Sequence, residues 1–90
     1  MKTIRITLNG ILEVQRFVSI LEKHSGNFDL RCGRKLVDAK SILGILSLDL
    51  SRPLNLIIYD EDHTILKDLA PFRNGFHENG QWKPFQWALP

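Results

Sequence analysis

Ser41 is the residue whose type and position could best carry regulatory chemistry in this chain. It follows Lys40 and precedes a run of aliphatic residues, ILGILSL, that reads as the start of a helix. A serine at a helix start accepts a hydrogen bond from a first-turn N–H, and the positive end of the helix favours an anion. A phosphate esterified to Ser41 would place roughly −1.5 to −2 charges beside an apolar patch. The predicted chemistry is therefore a helix cap that phosphorylation could turn into a switch.

The aliphatic residues after this serine are too many for a two-turn helix to bury. Helical rotation puts Ile45 and Leu48 on one side, with Ile42 near them, and turns Leu43 and Leu46 toward another. We expect the first pair to face a sheet. The second pair is either covered by the last helix and the tail or exposed as a docking patch. Gly44 costs a helix about 1 kcal/mol relative to Ala, so its presence predicts a close packing contact.

The other reactive side chains do not form a recognisable catalytic or metal-binding pattern. Residues 60–63, DEDH, are consecutive in a predicted loop, and such residues rarely converge on one ion. Cys32 is the only cysteine, which excludes an intramolecular disulfide and predicts a reduced, half-buried thiol. The sequence holds no P-loop and no glycine-rich nucleotide fingerprint. We therefore expect no catalytic residue, no metal and no cofactor.

The composition argues against several classes of protein. The length of 90 residues suits one domain, and 43% hydrophobic and 24% charged residues are ordinary for a globular chain. A net charge of +2 is too small to argue for nucleic-acid binding. The first ten residues alternate in polarity, unlike a signal peptide, and polar residues interrupt the longest apolar run. We expect a cytoplasmic protein that binds neither nucleic acid nor membranes.

The elements that must position Ser41 follow from the spacing of the apolar residues. Alternation predicts strands over residues 4–8, 28–32, 34–40 and 54–59, and helical spacing predicts helices near 11–24, 41–48 and 62–70. Asn9 and Asp62 are the predicted N-caps of the first and last helices. Gly26 and Pro71 are the predicted stop signals.

The predicted element order is β-α-β-β-α-β-α. It indicates an α+β fold with a four-stranded antiparallel sheet and helices on one face. The other face should be partly solvated, with Arg5, Asp29, Arg31 and Asn55 pointing outward. Residues 1–72 form this domain. Residues 73–90 are an aromatic tail whose order the sequence leaves open: it could cover the aliphatic patch, bind a partner or be a loose extension.

The segment KSILGILSL resembles the start of the second helix of HPr, the phosphocarrier protein of the bacterial sugar phosphotransferase system. The residues that match the Lys-Ser-Ile-x-Gly-x-x-Ser-Leu segment of Gram-positive HPr proteins are Lys40, Ser41, Ile42, Gly44, Ser47 and Leu48. The likeness runs from about Ile4 to about Leu69 and implies the open-faced β-sandwich of that family. In the family, this serine is phosphorylated by an ATP-dependent kinase, and the surface around it contacts transcriptional co-regulators and enzymes.

The chain departs from this family at the active-site histidine, which HPr carries in an Asn-Gly-Leu-His-x-Arg-Pro-Ala stretch. Asn9 and Gly10 match that stretch, but Leu12 stands where the histidine belongs. Arg16 lies too deep in the first helix to replace the missing arginine. We therefore expect no phosphoryl relay, and the chain resembles the histidine-lacking members that act only as regulators.

The prediction is a non-enzymatic, HPr-like regulatory or adaptor protein that binds protein partners through the helix after Ser41. By the resemblance, Ser41 is the phosphorylation site and the partner is a regulator or kinase of the phosphotransferase system. The predicted partner-binding residues are Lys40, Ile42, Leu43 and Leu46. Two alternatives stay open: an active phosphocarrier with an unrecognised acceptor, and a small ligand-binding module on the same scaffold.

Overall fold

The computed structural model describes residues 1–60, 64–78 and 81–84. The elements in chain order are β1 (Lys2–Ile6), α1 (Ile11–Glu22), β2 (Phe28–Cys32), β3 (Lys35–Asp38), α2 (Ile42–Leu46), β4 (Leu54–Ile58), α3 (Thr64–Asp68), a 3-10 turn (Ala70–Phe72), β5 (Arg73–Glu78) and β6 (Gln81–Pro84). The first seven elements follow the predicted order β-α-β-β-α-β-α. The α+β class is thereby confirmed.

The strands form one antiparallel sheet in the order β3-β2-β4-β1-β5-β6 within the described residues. Its first four strands are the predicted ones. The sequence assigns residues 73–90 to a tail of open order, whereas the structure forms β5 and β6 from its described part. β5 pairs with β1, and it therefore occupies a strand edge that would otherwise leave N–H and C=O groups unpaired.

The core lies between the helices and one face of the sheet. On this face Ile4 and Ile6 of β1 stand beside Leu56 and Leu54 of β4, and all four are fully buried. The helical side of the core is formed by Val14, Phe17, Val18 and Leu21 of α1 and Ile45 of α2. Among the side chains that the structure describes, none of the buried ones is polar or charged. Burial of each large aliphatic side chain contributes about 1.5–3 kcal/mol, so this face positions the helices.

The N-terminus of α1 differs from the prediction at its cap. Gly10, not Asn9, is the N-cap, with a positive φ of 89°, and its carbonyl accepts a hydrogen bond from Val14 N at 3.2 Å. Asn9 instead donates its backbone N–H to Glu13 Oε1 at 2.9 Å. A carboxylate in the first turn thus reaches back to the preceding chain, and no side chain caps the first-turn N–H groups of α1.

The turn between α1 and β2 depends on a close approach of Gly26 and Asp60. Gly26 has a φ of +106°, and a Cβ atom there would collide with the Asp60 carboxylate. Asp60 Oδ2 also accepts a hydrogen bond from Asn27 N at 3.2 Å. The positive φ therefore favours glycine, and a side chain there would also displace the Asp60 carboxylate from Asn27 N. The predicted cap Asp62 lies outside the described residues.

Substitution of Gly26 should destabilise the fold more than substitution of Gly33, which has no side chain near its Cβ position. Gly33, in the β2–β3 turn, has a φ of +61° and open space at its Cβ position. We expect Gly33→Ala to lower the free energy of unfolding by about 1 kcal/mol and Gly26→Ala by about 2 kcal/mol or more. Urea denaturation of both variants checks this, and equal losses would contradict the Asp60 contact.

The open face of the sheet carries the predicted polar residues. Arg5, Asp29 and Asn55 are half-buried there, and Arg31 is exposed. Next to β4, the hydroxyl of Tyr59 donates a hydrogen bond to Asp29 Oδ2 at 2.7 Å. This bond to a carboxylate, together with partial desolvation, raises the pKa of Tyr59 above its ordinary value.

The tyrosine titration gives a direct test of the open face because Tyr59 is the only tyrosine. The fold favours the neutral phenol, so stability should fall as pH rises above the ordinary tyrosine pKa, where only the unfolded chain loses its proton. We expect tyrosinate absorbance to appear at higher pH in the native protein than in urea. Asp29→Ala should remove most of that difference, and an unchanged titration would contradict the hydrogen bond.

Candidate functional site

Ser41 is the N-cap of α2, as predicted. Its backbone is extended, with φ −97° and ψ 108°, and its Oγ accepts a hydrogen bond from Gly44 N at 3.0 Å. The side chain is half-buried at the junction between β3 and α2. The hydroxyl therefore already accepts a hydrogen bond from the Gly44 N–H, which could also donate to a phosphate oxygen.

The five residues of α2 divide into a buried and an exposed set. Ile45 is fully buried, and Leu48 just beyond the helix is 7% exposed. The exposed set, here called the α2 patch, consists of Ile42, Leu43 and Leu46, which are 36%, 82% and 38% exposed. The predicted division is confirmed for Ile45, Leu48, Leu43 and Leu46, whereas Ile42, expected near the buried side, is exposed. Neither α3 nor the described part of the tail covers Leu43.

Gly44 occupies a position with little room, which confirms the close contact predicted from its presence. A Cβ atom there would lie 3.3 Å from the Val37 side chain of β3 and 3.1 Å from Ser41 Oγ. Any larger residue would press on both the strand and the capping hydroxyl. The glycine therefore lets α2 lie directly on β3 while Ser41 keeps its cap.

The C-terminal end of α2 is held by a second set of hydrogen bonds. Lys35 Nζ donates to Ser47 O at 2.9 Å, and Ser47 Oγ donates to Gly44 O at 2.6 Å. These bonds satisfy carbonyls that a helix end otherwise leaves unpaired. With a serine cap at one end and a lysine at the other, this short helix presents the α2 patch from a fixed position.

The sequence groups Lys40 with the residues of the α2 patch, but its ammonium lies at the end of α1. Its ammonium donates to the backbone oxygens of His24 at 2.9 Å and Gly26 at 3.3 Å, and it lies 5.3 Å from the centre of the Phe28 ring. The cation thus binds carbonyls at the C-terminus of α1, where the helix dipole favours positive charge. A partner contact by Lys40 stays a prediction, and Lys40 is not part of the α2 patch.

The same junction includes a contact that the sequence does not reveal. His24 Nε2 lies 2.9 Å from Asp68 Oδ2, which joins the end of α1 to α3 across 44 positions of the chain. Lys40 adds the start of α2 to this junction through the His24 carbonyl. No local pattern marks His24 or Asp68, because their pairing depends on how the helices pack.

The region that the resemblance aligns with the HPr histidine is apolar in this protein. Ile11 and Leu12, the first two residues of α1, are 54% and 65% exposed. Arg16 lies one turn further on, beside a groove that the outer flank of α1 forms with Pro71 and Phe72. The exposed first turn thus offers aliphatic side chains where that family has its phosphate acceptor.

The remaining candidate groups do not converge on a site. Cys32 is half-buried against the core, with its Sγ 3.9 Å from Asp49 O. Asp60 binds the backbone of Asn27, and the other acidic residues of the DEDH run lie outside the described residues. Across residues 1–60, 64–78 and 81–84, no three His, Cys, Asp or Glu side chains are grouped so that they could hold a metal ion. Over the same ranges, each helix is too short or too polar to cross a bilayer.

Removal of the Lys40 ammonium should measure how strongly the helix junction is held. We expect Lys40→Met, which keeps most of the apolar stem, to lower the free energy of unfolding by about 1 kcal/mol, because two carbonyls lose a charged donor. Lys23→Met is the matched control, because Lys23 is exposed at the end of α1. This substitution should change the free energy of unfolding by less than about 0.5 kcal/mol. Thermal or urea denaturation distinguishes the two. Identical stabilities would show that the Lys40 contacts contribute nothing.

Comparison of the chain with protein-family models, with curated proteins and with solved structures finds no match. The resemblance to HPr therefore depends on the segment from Lys40 to Leu48 and on the order of the elements.

Proposed function

We propose that this protein is a non-enzymatic, HPr-like regulatory or adaptor module that docks a protein partner on the α2 patch. The observation that carries the proposal is Leu43, an aliphatic side chain that is 82% exposed beside a serine-capped helix start. Its neighbours Ile42 and Leu46 extend the apolar surface on both sides. A contiguous exposed apolar surface on a small domain is typical of a protein-binding site.

The rigidity of α2 supports a docking role. Both ends of the helix are hydrogen-bonded, by Ser41 at the start and by Lys35 at the end, and Gly44 lets it lie against β3. A surface that is already ordered loses little conformational entropy when a partner binds. The α2 patch therefore needs no rearrangement before binding.

Phosphorylation of Ser41 would regulate this docking by charge. A phosphate oxygen can accept the Gly44 N–H that the hydroxyl now binds, so the helix cap would be retained. The Lys40 ammonium, which is held by the carbonyls of His24 and Gly26, would not neutralise the new charge where it stands. About two negative charges would then border Leu43 and raise the desolvation cost of an apolar interface.

The kinase reaction tests the regulatory part of the proposal. An ATP-dependent serine kinase of the HPr type should label the protein on Ser41, and Ser41→Ala should abolish the label. Ser47→Ala is the control, because Ser47 is an exposed serine at the other end of the same helix and its loss should leave labelling unchanged. Label that persists in Ser41→Ala, or no label at all, would contradict phosphorylation at Ser41.

Partner binding is tested with two leucines in equivalent helical positions. Leu43 is the second residue of α2 and Leu12 the second residue of α1, and both are largely exposed. Leu43→Asp should lower the affinity for a partner captured from lysate at least about tenfold, the effect of a binding residue worth more than about 1 kcal/mol. Leu12→Asp should leave that affinity unchanged, and the reverse result would place the docking surface on α1.

The Ser41 variants complete the series. Ser41→Asp should stay within about 1 kcal/mol of the parent in stability, because aspartate caps helices as well as serine does. It should change partner affinity, whereas Ser41→Ala should lose about 1 kcal/mol of stability and bind like the unmodified protein.

Acid-labile label transferred from phosphoenolpyruvate by the general phosphotransferase enzyme would instead favour the phosphocarrier alternative.

A further inference from the structure

A second surface, separate from the α2 patch, lies along the outer flank of α1. It is a groove of about 580 Å³ between α1 and the 3-10 turn. Leu12, Ile20, Pro71 and Phe72 supply its apolar lining, and Arg16 lies among the polar residues around it. This volume is in the range of sites that enclose a large side chain or a small ligand. The groove, here called the α1 groove, shares no residue with the α2 patch.

The end of β6 points the chain toward this groove. Gly75 of β5 is paired with Pro84 of β6, and β5 begins at Arg73, directly after Phe72. Because β6 runs antiparallel to β5, a chain that leaves Pro84 continues toward the start of β5. If the same register continued for three more residues, Trp87 would stand opposite Phe72, a residue of the groove lining.

The reach of the tail favours the α1 groove over the α2 patch. Residues 85–90 can span at most about 20 Å when fully extended. The helix α2 contacts α1 on one side and β3 on the other, and the sheet order puts β3 and β6 on opposite edges. Five inter-strand spacings separate these edges, which amounts to about 24 Å. The α1 groove, in contrast, includes Phe72, the residue directly before β5.

The sequence of the tail suits an apolar groove. Residues 85–90 read FQWALP, so that Phe85, Trp87 and Leu89 alternate with Gln86 and Ala88. In an extended chain, alternating residues lie on one side, and these three would form a continuous apolar edge. Aromatic side chains bury large areas, and the Arg16 guanidinium in the lining could also contact the face of an indole ring.

We propose that residues 85–90 bind the α1 groove of their own chain, with Trp87 against Leu12 and Phe72. The tail then covers the aliphatic first turn of α1 and leaves the α2 patch open. This inference does not depend on the function proposed above, because its residues and its surface are different ones.

The test uses the full chain with Trp82→Phe, so that Trp87 is the only tryptophan. We expect its emission to lie at shorter wavelength, and its quenching by acrylamide to be several-fold weaker, than in the same chain unfolded in urea. Leu12→Asp in this background should raise the quenching toward the unfolded value. Leu43→Asp, the same substitution at the equivalent position of α2, should leave it unchanged, and circular dichroism verifies that both variants are folded.

Each other result would overturn the proposal. Quenching as in urea would show that the tail does not bind, and a response to Leu43→Asp alone would place the tail on the α2 patch. Protection that disappears on dilution would assign the groove to the tail of a second copy. Protection that neither aspartate changes would place Trp87 elsewhere. If Trp82→Phe does not fold, the unmodified chain must show nuclear Overhauser contacts between the Trp87 indole and the Leu12 methyl groups, and their absence would contradict the inference.

Discussion

The alternation of apolar residues along β1, β2 and β4 is the constraint on which the rest of the structure depends. It gives the sheet one face that is almost wholly aliphatic, with residues such as Ile4, Leu30 and Leu56 fully buried. A face of this kind must be covered, and the helices carry the apolar side chains that cover it. The positions of α1 and α2 therefore follow from the sheet, and the opposite face is left to polar residues such as Arg31.

The shortness of α2 connects this constraint to function. A helix of five residues can turn only one side toward the core, and Ile45 occupies that side. The remaining aliphatic residues add nothing to the core, yet the chain holds the helix firmly with hydrogen bonds at both ends. This exposed apolar area, kept in a fixed orientation, is the feature on which the proposed docking role rests.

The molecule carries two apolar surfaces, one on α1 and one on α2. The α2 patch belongs to the half of the molecule that ends at the β3 edge, whereas the α1 groove adjoins the start of β5. The helix junction of His24, Lys40 and Asp68 lies where α1 ends and α2 begins, and it fixes the helices relative to one another. A change at one surface can thus leave the other intact, which makes matched substitutions on α1 and α2 informative.

Features that depend on residues close together in the chain could be predicted from the sequence. The first four strands, the order of the elements, the capping role of Ser41 and the division of α2 into two sides all follow from spacing and from local hydrogen-bonding chemistry. The sequence also indicates that no rotation of so short a helix buries every aliphatic residue, whereas the exposure of Leu43 is known only from the folded chain.

Features that join distant parts of the chain could not be predicted and are seen only in the folded structure. The strands β5 and β6 lack a clear alternation, and β5 pairs with β1 because the edge of the sheet offers partners for its backbone. The Lys40 ammonium reaches the end of α1 and not the adjacent Ser41, since the carbonyls of His24 and Gly26 lie within hydrogen-bonding distance. Such contacts depend on packing between elements, and no pattern along the chain records them.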